Sequence, residues 1–505
     1  MTWAIVRRFM SGKGGFGLMY RDFGFQPDPS LDDLGVYDLV CGRTYCNLSR
    51  EPLMYANGLP FEHAFASLKA APQKALYPKA QPNWSRAGAK FWLFLPVTFF
   101  RSIRLAVRMA QLQQTTAERL TKEVLPAFAE ETAREAKQDL SAVDSRVLLE
   151  RLDYWIKRTV HDFARDSLKP TVLAALVMSN LEQQLARALG SEPSRAVVAE
   201  LSMGARPAPE ADLPGALCDL AAGRLDRAAF LERFGHRGSQ EMELARPRWR
   251  EDPSVLDRFA AGPSDNRVAQ ERNIAAGCRK LADEARLNPR QAAALEKELR
   301  SLHIYLGLRE TAKHYLMMGY ALIRRLLVEL DRRHGNDGSI FFLLPEELPR
   351  LIAGENLSAL ANERRRRRML AISLDVPQVL FSDDLEAIGR PVGVAGADVL
   401  QGIPLSAGVA EGPALVLQEP TATVTAGEPY VLVCPSTDPA WVPLFVHAKA
   451  LVMETGGVLS HGAIVAREFG LPAVAGLAGV HRQLKTGQRL RVDGVNGTVI
   501  ILAER

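Results

Sequence analysis

Residues 454–474, ETGGVLSHGAIVAREFGLPAV, decide how the C-terminal part of this chain is read. The stretch sets a single histidine, His461, directly behind Ser460 and just after the pair Gly456-Gly457. Glycines allow backbone conformations closed to other residues, so amide groups there can close on an anion. Ser460 is a candidate N-cap, its hydroxyl accepting from an amide one turn on. That puts His461 in the first turn of a helix that Gly470 and Pro472 terminate. A helix N-terminus offers unpaired N–H groups and a positive dipole end, which favour a phosphoryl group. The same field keeps an imidazole neutral, and neutral imidazole is the nucleophilic form. Thr455, Gly456, Gly457 and Ser460 are the candidate phosphate contacts. Ile464 and Val465 are expected to face a core, Arg467 and Glu468 to face solvent or a partner. Two readings follow: His461 takes and releases a phosphoryl group, or it is a capping histidine without chemistry.

Further motifs surround this stretch. Upstream stand Gly402-Ile403-Pro404-Leu405-Ser406-Ala407-Gly408, Val431-Leu432-Val433 and Ser436-Thr437-Asp438-Pro439-Ala440-Trp441. Downstream stand Val492-Asp493-Gly494 and Gly497-Thr498-Val499. Together they resemble the phosphohistidine (swivelling) domain of the phosphoenolpyruvate synthase and pyruvate phosphate dikinase superfamily. The resemblance implies that His461 carries a phosphoryl group between two distant active sites. The histidine follows Ser460 with no residue between, a variant of the family's GG-x-x-S/T-x-H pattern.

The chain has 505 residues, enough for two to four domains. Hydrophobic content of 47% and charged content of 24% describe a globular protein. A net charge of +5 is too mild to argue for nucleic acid. Five scattered cysteines without C-x-x-C fit a reducing cytoplasm and point to neither a disulfide framework nor a metal site. No signal peptide is read at the N-terminus. The apolar run Phe91–Phe100 is shorter than the roughly 20 residues a span requires, so a buried segment or pocket lining is expected there in preference to a membrane-surface contact.

Gly12–Gly17, GKGGFG, satisfies G-x-G-x-x-G, but no strand precedes it and Leu18–Asp22 is no clean helix start. It is read as a turn. Gly42–Leu48 alternates like a strand. From about Ser102 to Gly190 helical spacing dominates: Leu148, Leu152, Trp155 and Ile156 line one face, with Asp144 as a cap. Phe234–Pro253 crowds His236, Arg237, Glu241, Arg248 and other charges between glycines and prolines. That is a loop, either solvated or with partners for its charges. Arg309 and Lys313 stand four apart on a helix expected from about Ala292 to Asp331. Two cations on one face suit an anion between them, or Glu310. Arg364–Arg368 is expected to be a charged helix surface facing solvent or an acidic partner.

GRTYCNLS, the Phe234–Pro253 segment and RETAKHYLMMGYALIRRLL are similar to the substrate-binding domain of the rifampicin phosphotransferase family. There an ATP-grasp domain phosphorylates a mobile histidine domain, which swings to a largely helical acceptor domain. The resemblance implies a multidomain chain, with a mostly α-helical acceptor domain followed by a C-terminal α/β swivelling domain. The expected limits are 1–385 for the acceptor domain, 386–398 for a hinge linker and 399–505 for the swivelling domain. It implies that Arg309 and Lys313 attend the transferring phosphate, with His236 as a candidate base. No ATP-grasp segment and no (β/α)8 barrel is read here. ATP and Mg²⁺ are therefore expected on a partner ATP-grasp subunit, as in the split phenylphosphate synthase, with a small, aromatic-compatible hydroxyl compound as acceptor. A cytoplasmic phosphotransferase that turns ATP into AMP and phosphate is the expectation. The alternatives are a carrier relaying phosphate between proteins, a pyruvate/phosphoenolpyruvate enzyme and a binding module that kept the fold alone.

Overall fold

The computed structural model describes residues 1–55, 59–70, 80–190, 194, 197–198, 200–202, 205–259, 281–282, 285–335, 337–374, 376–389, 398–420, 429–458 and 460–502. These fall into two compact units. Unit 1 comprises Met1–Lys169, Met242–Arg246 and Ala312–Pro391; unit 2 comprises Pro170–Glu241, Pro247–Thr311 and Val392–Arg505.

Unit 1 is helical. The helix Ser145–Lys157 begins where the Asp144 side chain accepts from the Arg146 amide at 2.8 Å. Its apolar stripe, Leu148, Leu152, Trp155 and Ile156, is buried as its spacing requires. The core continues through Phe128 and Phe163, whose rings stack with centroids 3.8 Å apart. Gly319 lets another helix approach closely, since a Cβ there would lie 2.4 Å from Thr159 Oγ1. Lys169 is buried, and its ammonium is neutralised by Asp22 at 2.8 Å and Asp166 at 2.5 Å.

The strand expected at Gly42–Leu48 is β2, Arg43–Cys46, paired antiparallel with β1, Tyr37–Val40. Cys41 and Gly42 both have positive φ, the two-residue turn that matches the strands' twist. β3, Phe61–Glu62, and β4, Gln81–Pro82, form a second small ribbon.

Two expectations need correction in this unit. Leu18–Asp22 is helical, within Gly15–Phe23, because the glycines before it pack backbone against backbone: a Cβ on Gly17 would lie 2.0 Å from the Gly12 carbonyl oxygen. The aromatic run Phe91–Phe100 is not core. Trp92, Phe94, Phe99 and Phe100 are more than half exposed, on the helices Ala89–Leu93 and Leu95–Arg119 and at Phe94 between them.

The arginine run sits on the helix Ser358–Ser373 with acidic and aromatic neighbours inside unit 1. Arg364 binds Glu347 at 2.6 and 2.8 Å, Arg365 lies over the Phe342 ring, and Arg368 reaches Glu243 at 2.8 Å.

The helix expected over Ala292–Asp331 is Pro289–Arg333, and the two units divide it between Thr311 and Ala312. Near its end, Glu329 accepts from Arg332 and Arg333 at 2.7 Å each. The bond from Arg332, with Arg333 adding to it against the opposing effect of burial, holds the Glu329 carboxyl down to about 2. A depressed carboxyl contributes stability that is present above its unfolded value and lost as the pH falls through the folded one. Wild type should therefore lose stability between about pH 4.3 and pH 2. Glu329→Gln should flatten that slope in acid-unfolding curves.

In unit 2 the C-terminal residues form an eight-stranded sheet of order β5-β12-β11-β7-β8-β9-β10-β6. The strands are β5 Val399–Gln401, β6 Ile403–Ser406, β7 Val409–Val416, β8 Tyr430–Cys434, β9 Ala448–Met453, β10 Ala473–Ala475, β11 Arg489–Asp493 and β12 Thr498–Ile501. β7, β8, β9 and β10 run parallel, and the outer pairs are antiparallel. β8 is buried along its whole length, as a central parallel strand must be.

One apolar cluster joins Leu213, Leu217, Phe230, Phe234 and Trp249 to Leu432, Trp441, Phe445 and Phe469. The compact units thus cut across the expected limits at 385 and 399, since unit 2 holds helical segments together with the sheet. Of the expected hinge 386–398, residues 390–397 lie outside the described residues.

Candidate functional site

His461 opens the helix His461–Glu468 that follows β9. Ser460 is extended and caps it, its Oγ accepting from the Ala463 amide at 3.3 Å. Gly470, at φ 64°, closes it, with Leu471 N donating to the Ala466 carbonyl at 2.8 Å. This terminus is the one the sequence predicts. Both ring nitrogens of His461 are shielded from solvent. Gly462 must be glycine: a Cβ would lie 2.4 Å from Thr437 Oγ1 and 2.8 Å from Met453 Sδ. The residue after the histidine is thereby pressed onto the Ser436–Trp441 motif.

The other candidate contacts have defined places. Thr455 Oγ1 donates to the Pro435 carbonyl at 3.1 Å, and the Thr455 amide reaches the same oxygen at 2.9 Å. Gly456 and Gly457 do not adopt the left-handed conformations that their presence suggested. Gly456 answers crowding instead, because a Cβ would lie 3.2 Å from Met453 Cε and 3.3 Å from Ala475 Cβ. Glu454, at the head of the motif, lies 2.6 Å from His481 Nδ1. Nothing in the sequence singled out His481.

Arg467 differs most from expectation. It is 4% exposed and faces inward, where Nε donates to the Leu405 carbonyl at 2.9 Å and Nη1 to the Val458 carbonyl at 2.7 Å. Its place three residues after Ile464, on the same helix face, was the available signal. It ties β6 and the loop before His461 to the helix. Burial, and then the positive charge of Arg309, lower its guanidinium to about 10.

Arg309 therefore acts within the same unit as the histidine helix, although more than 150 positions separate them in sequence. It is half-buried and bonds Glu310 Oε1 at 2.7 Å. Lys313 follows one turn later on the same helix and falls in unit 1.

The charged segment after the helix Arg227–Phe234 is a structured loop, in unit 2 except for Met242–Arg246, which belong to unit 1. His236, Arg237, Glu241, Arg248 and Trp249 are all buried. Arg237 and Glu241 form a two-pronged pair at 2.8 and 2.7 Å, each side chain 3% exposed. Next to Glu241, the Gln240 amide donates to Asp438 Oδ2 at 2.9 Å, while Asp438 Oδ1 caps Ala440 N at 2.8 Å. The GHRG segment and the Ser436–Trp441 motif thus meet.

Unit 1 holds a separate cavity of about 530 Å³ between Leu53, Leu59, Phe61, Phe65 and Phe91, with His63 in its wall. His63 Nε2 stands 3.1 Å from Glu51 Oε2, which also accepts from Tyr55 OH at 2.8 Å. Nδ1 of this buried ring has no hydrogen-bond partner among the described residues. Sequence reasoning missed His63, which lies in a segment without a motif.

Residues 426–497 match the mobile domain of PEP-utilising enzymes. The matched residues include the parallel strands β8, β9 and β10 and the histidine-headed helix, so this part of the chain is similar to that domain. Residues 183–310 match the fourth domain of rifampicin phosphotransferase.

Rifampicin phosphotransferase of Streptomyces sviceus is 32% identical over 302 residues, 54% of this chain and 34% of its own length. The protein of the same name from Bacillus subtilis is 28% identical over 470 residues, 84% of this chain and 52% of its own. Prodigiosin synthesizing transferase PigC of Serratia marcescens is 30% identical over 305 residues, 55% and 33% of the two chains. The chain spans about a third to a half of the length of these curated relatives.

Among the described residues no helix is long and apolar enough to cross a membrane. No group of three or more His, Cys, Asp or Glu gathers there as a metal site.

Proposed function

We propose that this chain is the histidine-carrying part of a phosphotransferase, and that His461 shuttles a phosphoryl group from ATP to a hydroxyl of a small molecule. The observation that carries the reading is His461 at the capped N-terminus of its helix, inside residues that match a PEP-utilising mobile domain. The relatives named rifampicin phosphotransferase support the reaction class.

An ATP-grasp partner binds ATP and Mg²⁺ and delivers the phosphoryl group to an imidazole nitrogen of His461, with water entering to leave AMP and phosphate. The acceptor oxygen then attacks phosphorus, the N–P bond breaks, an O–P bond forms and a base takes the hydroxyl proton. The helix N-terminus, Ser460 and the backbone at Thr455–Gly457 steady the phosphohistidine. Arg309 and Lys313 balance charge as the group leaves. The 386–398 segment is the hinge in this scheme, with the acceptor domain before it and the swivelling domain after it. Purified chain mixed with an ATP-grasp partner and ATP labelled at the β or γ position should take up acid-labile, base-stable label. No uptake with any such partner, from folded protein, rejects the reading.

The cavity in unit 1 supports an apolar, ring-bearing alcohol or phenol as acceptor. A carboxylate beside Nε2 favours the tautomer with its proton there, which leaves Nδ1 of His63 as an acceptor for a hydroxyl proton. Two histidines thus compete for the role of base. If His63 is the base, His63→Gln should lower transfer to a phenol by roughly 10²–10⁴-fold and leave His461 labelling intact. His236→Gln should then have a small effect. The reverse ranking would assign the proton to His236.

A further inference from the structure

Between Glu62 and Glu118 the sequence has no acidic residue and eight Lys or Arg, in a chain whose 63 basic and 58 acidic residues are otherwise mixed. The same stretch carries the largest exposed apolar side chains of unit 1. On the helix Leu95–Arg119, Phe99, Phe100, Ile103 and Val107 are 62, 70, 47 and 53% exposed. At about 100° per residue they share an arc of roughly 100°. Arg104 falls about 40° beyond one edge of that arc, with Arg108 and Arg101 further round the same side, and Arg101 and Arg104 form no ion pair among the described residues. Trp84, Trp92, Leu93 and Phe94 extend the apolar surface beyond the helix start, each more than half exposed. Arg108 Nε donates to the Asp22 carbonyl and fastens the helix to the unit.

We infer that this face lies on the surface of an anionic lipid bilayer, with the aromatic arc entering the headgroup boundary and the arginines at the phosphates. Aromatic and aliphatic groups on one side of a helix, bordered by cations, form the pattern of an interfacial helix that lies on a membrane without crossing it. Arg101 and Arg104, in a stretch of sequence without an acidic residue from 63 to 117, match a negative leaflet. A protein interface would need about one hydrogen bond per 100–200 Å². Here the hydroxyls nearest the arc bond back to their own helix, Thr98 to the Phe94 carbonyl at 3.1 Å and Ser102 to the Thr98 carbonyl at 3.0 Å. Groups satisfied internally suit hydrocarbon.

The test is co-sedimentation of the full chain with phosphatidylcholine vesicles, with and without phosphatidylserine. Binding should require phosphatidylserine, weaken with salt and shift tryptophan emission to the blue, since Trp84 and Trp92 are exposed while Trp155, Trp249 and Trp441 are buried. Phe99→Ser with Phe100→Ser, and separately Arg101→Glu with Arg104→Glu, should each weaken binding by about tenfold or more, with unchanged melting curves. Failure of the folded chain to bind phosphatidylserine vesicles overturns the inference. So does binding that neither double variant weakens. Self-association abolished by the Phe variants, without vesicle binding, would overturn it in favour of a protein occupant.

Discussion

His461→Ala is expected to bring phosphate incorporation from labelled ATP down to the level of a control without the chain. The loss should be complete because no other group of the helix terminus is a nucleophile of comparable strength at neutral pH. Ser460 is committed to the Ala463 amide, and a serine hydroxyl without a base is a weak nucleophile. Folding should survive the change. The helix is capped by Ser460 and closed at Gly470, and its buried face, from Ala463 through Arg467, is untouched. Alanine at the first helical position carries no propensity cost. A circular dichroism melt within about 1 kcal/mol of wild type would confirm this. The chemistry of the label adds a second check, since an N–P bond is cleaved by acid and survives base. Base-stable label on His461→Ala would mean that another histidine is the carrier. Acid-stable label would mean a phosphoester, and the carrier reading would fall.

Glu241→Ala should strongly destabilise unit 2. It leaves the Arg237 guanidinium with 3% exposure and without its two-pronged carboxylate. Breaking a buried pair from one side costs about 3–5 kcal/mol, because the remaining charge is uncompensated. Removing both charges is milder, so Arg237→Met with Glu241→Leu should recover much of the loss. Calorimetry on the two single variants and the double variant would measure the coupling; additive losses would show that the pair acts as two independent groups. The consequence reaches the site, because the neighbouring Gln240 amide holds Asp438 at 2.9 Å. Glu241→Ala protein that still folds should therefore carry phosphate on His461 more slowly.

The N-cap, the helix behind His461 and its glycine stop were legible from about ten residues, because capping and termination are local hydrogen-bond problems. The period-3.6 stripe of Ser145–Lys157 and the cap at Asp144 were legible for the same reason. The paired strands β1 and β2 were half legible: alternation marked β2, but the turn at Cys41-Gly42 passed unread.

Contacts between distant segments were not legible. Arg467 was expected outside because charge is usually solvated, and only the packed fold shows the Leu405 and Val458 carbonyls that take its protons. Gly456 read as a flexible residue, whereas it answers crowding, and the close approach of Gly462 to Thr437 had no signal in the sequence. The aromatic run at Phe91–Phe100 read as a buried segment or pocket lining, which holds for Phe91 alone among its aromatics, since hydrophobicity says that a side chain prefers burial and not whether the chain has anything to bury it against. His63 and Glu51 had no pattern at all. The sequence by itself determined the local geometry around His461 and the helical stripes. Tertiary structure alone decided which charges are buried and paired, which glycines are steric and which apolar face is left to solvent, because each of those depends on what the rest of the chain brings to within a few ångströms.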